Sequence, residues 1–284
     1  MKLVAIDLDG TLLNKDHIIS SENMNAVSAA SKHHLVAIAT GRAIMDVQAM
    51  LRNEVQLPVI ASNGATIFDR SGQLLSKESI PQDAAEQLIA YAEYHHLYYE
   101  VTVEHDLLAP PDGKIILRKE LDQLENNLTK ETAQKAWERA EVQFNQAGWL
   151  PRSEIGTLIR NGRAIYKLLI FSFNMHTLAD FKEHFADRTD ITCTNSVGYT
   201  VEFNSSKIDK GKAIRQLAKH YSVHQKDTIV IGDGHNDLPM FRTAATQVAM
   251  GNAIPSIKEI SSYVTLDCNH NGVAYSLKNQ LQLF

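Results

Sequence analysis

Short apolar runs recur along the chain, and each stops abruptly at small, glycine or acidic residues. Residues 3–6, 35–39, 58–61 and 228–231 are dominated by Val, Ile, Leu and Ala, with scarcely a polar position among them. A run that is apolar on both parities predicts a strand buried on both faces, as in a parallel sheet. The intervals read as helices: Ser20-Ser21-Glu22 offers a cap for one running to about Lys32, and a second spans 43–52. Strand, helix, strand, helix, strand predicts a doubly wound α/β fold with right-handed crossovers. Residues 65–68 and 73–75, on either side of Asp69-Arg70-Ser71-Gly72, read as a hairpin.

From about Pro81 the rhythm changes. Residues 82–96 are helical in pattern, 97–103 strand-like, and Pro110-Pro111-Asp112-Gly113 forms a turn. Between 130 and 145, Ala133, Ala136, Trp137, Ala140 and Phe144 fall at three-and-four spacing, an amphipathic helix. A strand at 165–171 and a helix at 176–185 complete a block that reads as an inserted α/β module, with Trp137 and Trp149 as packing residues. The final third returns to the first pattern, with strands at 199–203, 228–231, 247–250 and 263–265 and a helix at 210–220. The expected organisation is a core from 1–81 and 188–284, interrupted by a second domain at 82–187.

The strand ends carry the candidate chemistry. The first runs into Asp7-Leu8-Asp9-Gly10-Thr11-Leu12-Leu13. Ligands of open α/β sheets bind beyond the carboxyl ends of the strands. Residues two apart on a strand share a face, so Asp7 and Asp9 are expected to converge and to raise one another's pKa. A hard cation such as Mg²⁺ relieves that repulsion. The strand at 228–231 likewise ends in Gly232-Asp233-Gly234-His235-Asn236-Asp237, placing two more carboxylates where a helix starts. Thr40-Gly41-Arg42 closes another strand at a helix N-terminus, where a hydroxyl and free N–H groups suit a phosphate oxygen. Lys210 opens a helix against its dipole, which calls for a compensating anionic contact; it is favoured for this over Lys207 and Lys212.

These four strings, in this order, resemble the motifs of the haloacid dehalogenase-like (HAD) phosphatases, and an α/β insertion between the second and third is similar to the cap of their Cof-type members. The resemblance implies a Rossmann-like core, a capping domain that closes over the substrate, and hydrolysis of a small phosphorylated metabolite, with sugar phosphates first among the candidates. It implies that Asp7 is the nucleophile and Asp9 the general acid and base. Mg²⁺ is then held by Asp7, the Asp9 carbonyl and Asp233, with Asp237 assisting through water. Thr40, Gly41, Lys210 and Asn236 cradle the phosphate, and Arg42 and Asn63 face the leaving group. Two other readings share the scaffold: a phosphomutase using the same aspartyl-phosphate, and a ligand-binding regulator without catalysis.

Composition excludes some partners. Within 284 residues the net charge is -5, which argues against nucleic acid. No run of about 18 apolar residues occurs, so no membrane span is expected. Two distant cysteines, Cys193 and Cys268, read as reduced thiols, and the expectation is a cytoplasmic monomer or homodimer. No serine-hydrolase or P-loop string is present.

Overall fold

The computed structural model describes residues 1–52, 54–124, 129–195 and 198–284. The chain divides into two compact units, Met1–Lys77 with Ile208–Phe284, and Glu78–Lys207. The described strands in chain order are β1 (Leu3–Ile6), β2 (Leu35–Ala39), β3 (Val59–Ala61), β4 (Thr66–Phe68), β5 (Leu74–Lys77), β6 (Tyr98–Thr102), β7 (Leu107–Ala109), β8 (Trp149–Pro151), β9 (Lys167–Phe171), β10 (Ile191–Asn195), β11 (Thr200–Ser205), β12 (Thr228–Gly232), β13 (Thr246–Ala249) and β14 (Tyr263–Val264).

In the first unit eight strands lie in the order β14-β13-β12-β1-β2-β3-β4-β5. Every pairing from β14 to β3 is parallel, and β4 and β5 add an antiparallel hairpin. The Asp69 carboxylate ties that hairpin's turn, accepting the N–H groups of Ser71 and Gln73. At the sheet's centre Leu3, Val4, Ala5 and Ile6 are all fully buried, as a strand covered on both faces requires. Helix Lys210–His220 shows how such a cover forms. Asp209 caps it by accepting the Lys212 N–H at 2.7 Å, and Ala213, Ile214, Leu217 and Ala218 bury its inner stripe.

In the second unit six strands lie in the order β10-β11-β9-β6-β7-β8, antiparallel except for the parallel β7–β8 pair. Its strands alternate between two cores. Tyr99, Val101, Leu168, Ile170, Val201 and Phe203 pack with helices Gln82–Tyr94, Ile155–Arg160 and Met175–His184. Tyr98, Leu169 and Phe171 pack with helices Gly113–Leu124 and Lys130–Phe144, joined at their margin by Trp137 and Trp149.

Two expectations are corrected. The strand expected at 199–203 belongs to the second sheet, paired with β9, so the first unit resumes at Ile208 rather than at 188. Its alternation of polar Thr200, Glu202 and Asn204 with apolar Val201 and Phe203 is the signature of an antiparallel strand, unlike the continuous apolar runs of the first unit. The first boundary lies after Lys77 rather than after 81. The turn at 110–113 leads into a further helix, Gly113–Leu124, whose first residue faces the Tyr98 ring so closely that any side chain there would collide with it.

Candidate active site

Asp7 follows β1 directly, and its N–H still bonds to Ile231 O of β12 at 3.0 Å. The chain then leaves the sheet. Gly10 adopts φ 76°, and a Cβ at that position would run into the Asp233 carboxylate. Backbone bonds from Leu12 N to Asp7 O (3.2 Å) and Leu13 N to Leu8 O (2.9 Å) close the loop. Thr11 Oγ1 donates to Asp233 Oδ1 at 3.1 Å, joining the ends of β1 and β12.

Lys210 is the lysine drawn inside. Its side chain is fully buried, whereas Lys207 is exposed beside Glu78 and Lys212 is partly exposed beside Asp209. Its Nζ donates to Asp7 Oδ1 and to Asp237 Oδ1, each at 2.7 Å. Those two carboxylates offset both the desolvation of the ammonium and its opposition to the helix dipole. The other Asp237 oxygen accepts the N–H groups of Asp233 and Gly234, at 2.9 and 3.0 Å.

Asp7, Asp233 and Asp237 each present an oxygen within 4.8 Å of the others. Three carboxylates surround one ammonium. Burial, then the charges of Asp237 and Asp233, push the Asp7 carboxyl well above its ordinary value against the pull of Lys210. Burial and Asp237 push Asp233 up to about 7, although Thr11 and Lys210 oppose them. For Lys210 burial favours the neutral amine, but Asp237 and Asp7 outweigh it and hold the ammonium. Hard oxygens under mutual repulsion are the donor set that Mg²⁺ suits, and they fit it. Asp7 accepts one donor and Asp233 one on each oxygen, which leaves both with acceptor capacity for a cation, whereas Asp237 accepts three donors, which suits an indirect role.

The Asp9 carboxylate stands outside this cluster, contrary to the expected convergence. The strand ends at Ile6, and the turn at Gly10 carries Asp9 outward, leaving its side chain 48% exposed. Arg42 grips it with two bonds, Nε to Oδ2 at 2.8 Å and Nη2 to Oδ1 at 2.7 Å. His17, at the tip of the following turn, lies 3.7 Å away. Desolvation raises the Asp9 pKa, but the Arg42 bonds, His17 and the Arg42 charge outweigh it and hold the carboxyl well below the carboxylate range. Asp7 and Asp9 are therefore driven in opposite directions.

Thr40, at the end of β2 beside β1, is fully buried. Its hydroxyl accepts the Arg42 N–H at 3.1 Å, which leaves the hydroxyl's own proton to donate. Asn63 is buried in the left-handed region, φ 59°, and its N–H bonds to Thr40 O at 2.9 Å, joining the ends of β2 and β3. Gly41 is half-buried between Thr40 and Arg42, and Asn236 is half-buried beside Gly234. Arg42 is committed to two carboxylates, since its Nη1 also bonds to Asp46 one helical turn on.

Sequence reasoning passed over Thr11, His17, Asp46 and Asn252. Asn252 follows β13, so the strand-end rule that singled out Asp7 and Asp233 also points to it. Its Nδ2 donates to Gly10 O at 2.8 Å and to Asp233 Oδ2 at 3.2 Å.

A family profile described as haloacid dehalogenase-like hydrolase matches residues 4–277. The chain belongs to this family. This haloacid dehalogenase-like hydrolase is 40% identical over 282 residues to YwtE of Bacillus subtilis (strain 168), a 5-amino-6-(5-phospho-D-ribitylamino)uracil phosphatase, covering 99% of this chain and 98% of that protein. It is 35% identical to the phosphatase YwpJ of the same organism, over 99% of this chain and all of that one. A solved haloacid dehalogenase-like hydrolase from B. subtilis is similar with a TM-score of 0.84 and 34% identity, over 98% of this chain and 99% of that one. The hydrolase is accordingly a phosphatase, a phosphoric monoester hydrolase. No helix among its described residues is long and apolar enough to cross a membrane.

Proposed function

We propose that the protein is a Mg²⁺-dependent phosphatase of small phosphorylated metabolites that works through an aspartyl-phosphate on Asp7. The observation that carries this reading is the buried Asp7–Lys210–Asp237 bridge, with Asp233 alongside and Asp9 kept apart. One Asp7 oxygen is fixed by Lys210, which orients the carboxylate for in-line attack on phosphorus. Attack forms the Asp7 O–P bond and breaks the bond from phosphorus to the leaving oxygen, which takes a proton from Asp9. Water then attacks phosphorus, gives its proton to the Asp9 carboxylate, and frees Asp7 and inorganic phosphate.

The roles need Asp7 ionised and Asp9 protonated at the first step, the reverse of what burial and Arg42 favour in the metal-free protein. A cation beside Asp7 would favour its ionisation, and release of Asp9 by Arg42 favours its protonation. Asp7 touches no solvent-facing partner, whereas Asp9 is half-exposed and held by Arg42, free to exchange its grip when a substrate phosphate competes for that guanidinium. Thr40 O–H, the Gly41 N–H, Lys210 and Asn236 are the donors for the phosphate oxygens, and Asn63 and Arg42 lie toward the leaving group. Bound at Asp7 and Asp233, Mg²⁺ would neutralise charge on the transferring phosphoryl group.

The substrate class we infer is a sugar or sugar-alcohol phosphate, a reading the ribitylamino-phosphate specificity named for the B. subtilis relative supports. The test is phosphate release from sugar phosphates, nucleotides, a flavin phosphate, pyridoxal phosphate and the ribitylaminouracil phosphate, with Mg²⁺ and with EDTA. Turnover lost on chelation and reduced at least about a thousandfold in Asp7→Asn supports the mechanism. Equal activity of wild type and Asp7→Asn overturns it. Phosphate retained on a sugar product would identify a mutase instead.

A further inference from the structure

We propose that Asn252 is a positioning residue that sets the cation affinity of the acidic cluster, by locking the Asp9–Gly10 turn and the Asp233 carboxylate into one arrangement. The inference rests on the reading that this cluster holds Mg²⁺. Three bonds define what the side chain does. Cys268 N–H donates to its Oδ1 at 2.9 Å, which fixes the amide's orientation and turns the NH₂ group toward the site. That NH₂ group then serves two acceptors on different strand ends, Gly10 O at 2.8 Å and Asp233 Oδ2 at 3.2 Å.

The consequence for Asp233 is geometric. Thr11 donates to one of its oxygens and Asn252 to the other, so two donors from two separate loops set the plane of the carboxylate. Each oxygen keeps acceptor capacity for a further partner. The same amide holds the Gly10 carbonyl, and Gly10 sits in the left-handed region, so the backbone of the turn after Asp9 is fixed together with Asp233.

The brace is itself anchored. Ile254 N–H bonds to Asp233 O at 3.0 Å, Met250 N–H to Gly232 O at 3.1 Å, and Gly251 N–H to Leu266 O at 3.0 Å. Lys258 Nζ reaches back to Gly251 O at 2.6 Å. The loop carrying Asn252 is thus stitched to the main chain of the residue whose side chain it orients. Partners of this kind, one layer behind a metal ligand, tune affinity by about 10- to 100-fold. Asn252 is also solvent-exposed, so little core packing depends on it, and its removal separates positioning from folding.

The experiment is a calorimetric titration of substrate-free protein with Mg²⁺, on wild type and Asn252→Leu, which keeps the shape and removes the donors. The expected result is a Kd weakened about tenfold, with the metal-free melting temperature unchanged. Saturating Mg²⁺ then restores kcat, with KM for the phosphate ester unaltered. Asn252→Ala, which adds no bulk, gives the same reading if leucine crowds the loop. An unchanged Kd in both variants overturns the positioning role while leaving the cation reading intact. A wild type that takes up no Mg²⁺ overturns the cation reading and this inference with it.

Discussion

Each unit buries charge, and the two do so in opposite ways. In the second unit Lys167 and Glu202, on neighbouring strands β9 and β11, pair at 2.9 Å with both side chains about 7–8% exposed. Glu100 lies on the same sheet face. It accepts the Tyr98 hydroxyl at 2.6 Å, and Trp149 Nε1 donates to that hydroxyl in turn at 3.2 Å. Burial raises Glu100 to about 7 despite Tyr98 and Lys167, so below neutral pH a single proton on Glu100 leaves one ammonium matched to one carboxylate. In the first unit one ammonium faces three carboxylates. A buried network that is matched within itself asks for nothing more and specifies packing. One that carries surplus like charge is stable only through protons or a cation, and it is therefore poised to bind.

Replacing each buried lysine sharpens this contrast most. Lys210→Met leaves Asp7 and Asp237 uncompensated, and the expected cost is about 3–5 kcal/mol in metal-free chemical denaturation together with loss of turnover. Mg²⁺ is expected to restore part of that stability. Lys167→Met is expected to cost a similar amount, but with no recovery on adding Mg²⁺, and the paired change Lys167→Met/Glu202→Leu should return most of it. Mg²⁺ rescue of both variants, or of neither, breaks the distinction.

A smaller effect separates the two networks by pH. The Asp233 carboxyl is raised from 3.8 to about 7, so the folded metal-free protein keeps a proton there that an unfolded chain has already lost. Stability from this group is complete below about pH 4 and falls as pH rises through 7. Cation binding displaces that proton, so Mg²⁺ affinity measured by calorimetry should rise by up to about tenfold per pH unit below 7 and level off above it. An affinity flat from pH 5 to 8 would exclude a proton held in the cluster.

The smallest expected change lies in the second unit. Glu100, raised from 4.5 to about 7, likewise favours folding below its unfolded value and opposes it as pH climbs through 7. Glu100→Gln keeps a hydrogen-bonding group without the ionisation. Its melting temperature should match wild type near pH 4.5 and exceed it by about 3 °C at pH 8, with no dependence on Mg²⁺. A gain at pH 4.5 as large as at pH 8 would assign the effect to packing.

How far the sequence reaches is clearest at particular residues. The parallel strands were legible because burial on both faces writes an unbroken apolar run, and the stops at Asp7, Thr40 and Gly232 follow from where such strands end. Lys210 was legible because a lysine opening a helix needs an anionic partner, and it has two. The destination of β11 was not legible, since sheet membership is a pairing across distance; only its alternating polarity hinted at antiparallel company. Asp9 misled for a different reason. Strand parity puts it beside Asp7, but the strand stops one residue before Asp7 and Arg42 captures the side chain. Asn252 stands just past a strand end, as Asp7 and Asp233 do, but nothing local announces that its amide reaches Gly10.

The order of assembly follows from the position of β1, which pairs with β2 on one side and β12 on the other. During synthesis β1 emerges before β12 and waits while more than two hundred residues follow, among them all of Glu78–Lys207, a continuous stretch able to gather its own contacts. Closing so long a loop is slow, and until it closes the first strand has an unfilled flank. Asp7 then has neither Lys210 nor Asp237 beside it. A nascent or C-terminally clipped chain thus carries Asp7, Asp9 and Thr40 without Lys210, Asp233 and Asp237, and the acidic cluster is complete only when β12 docks against β1.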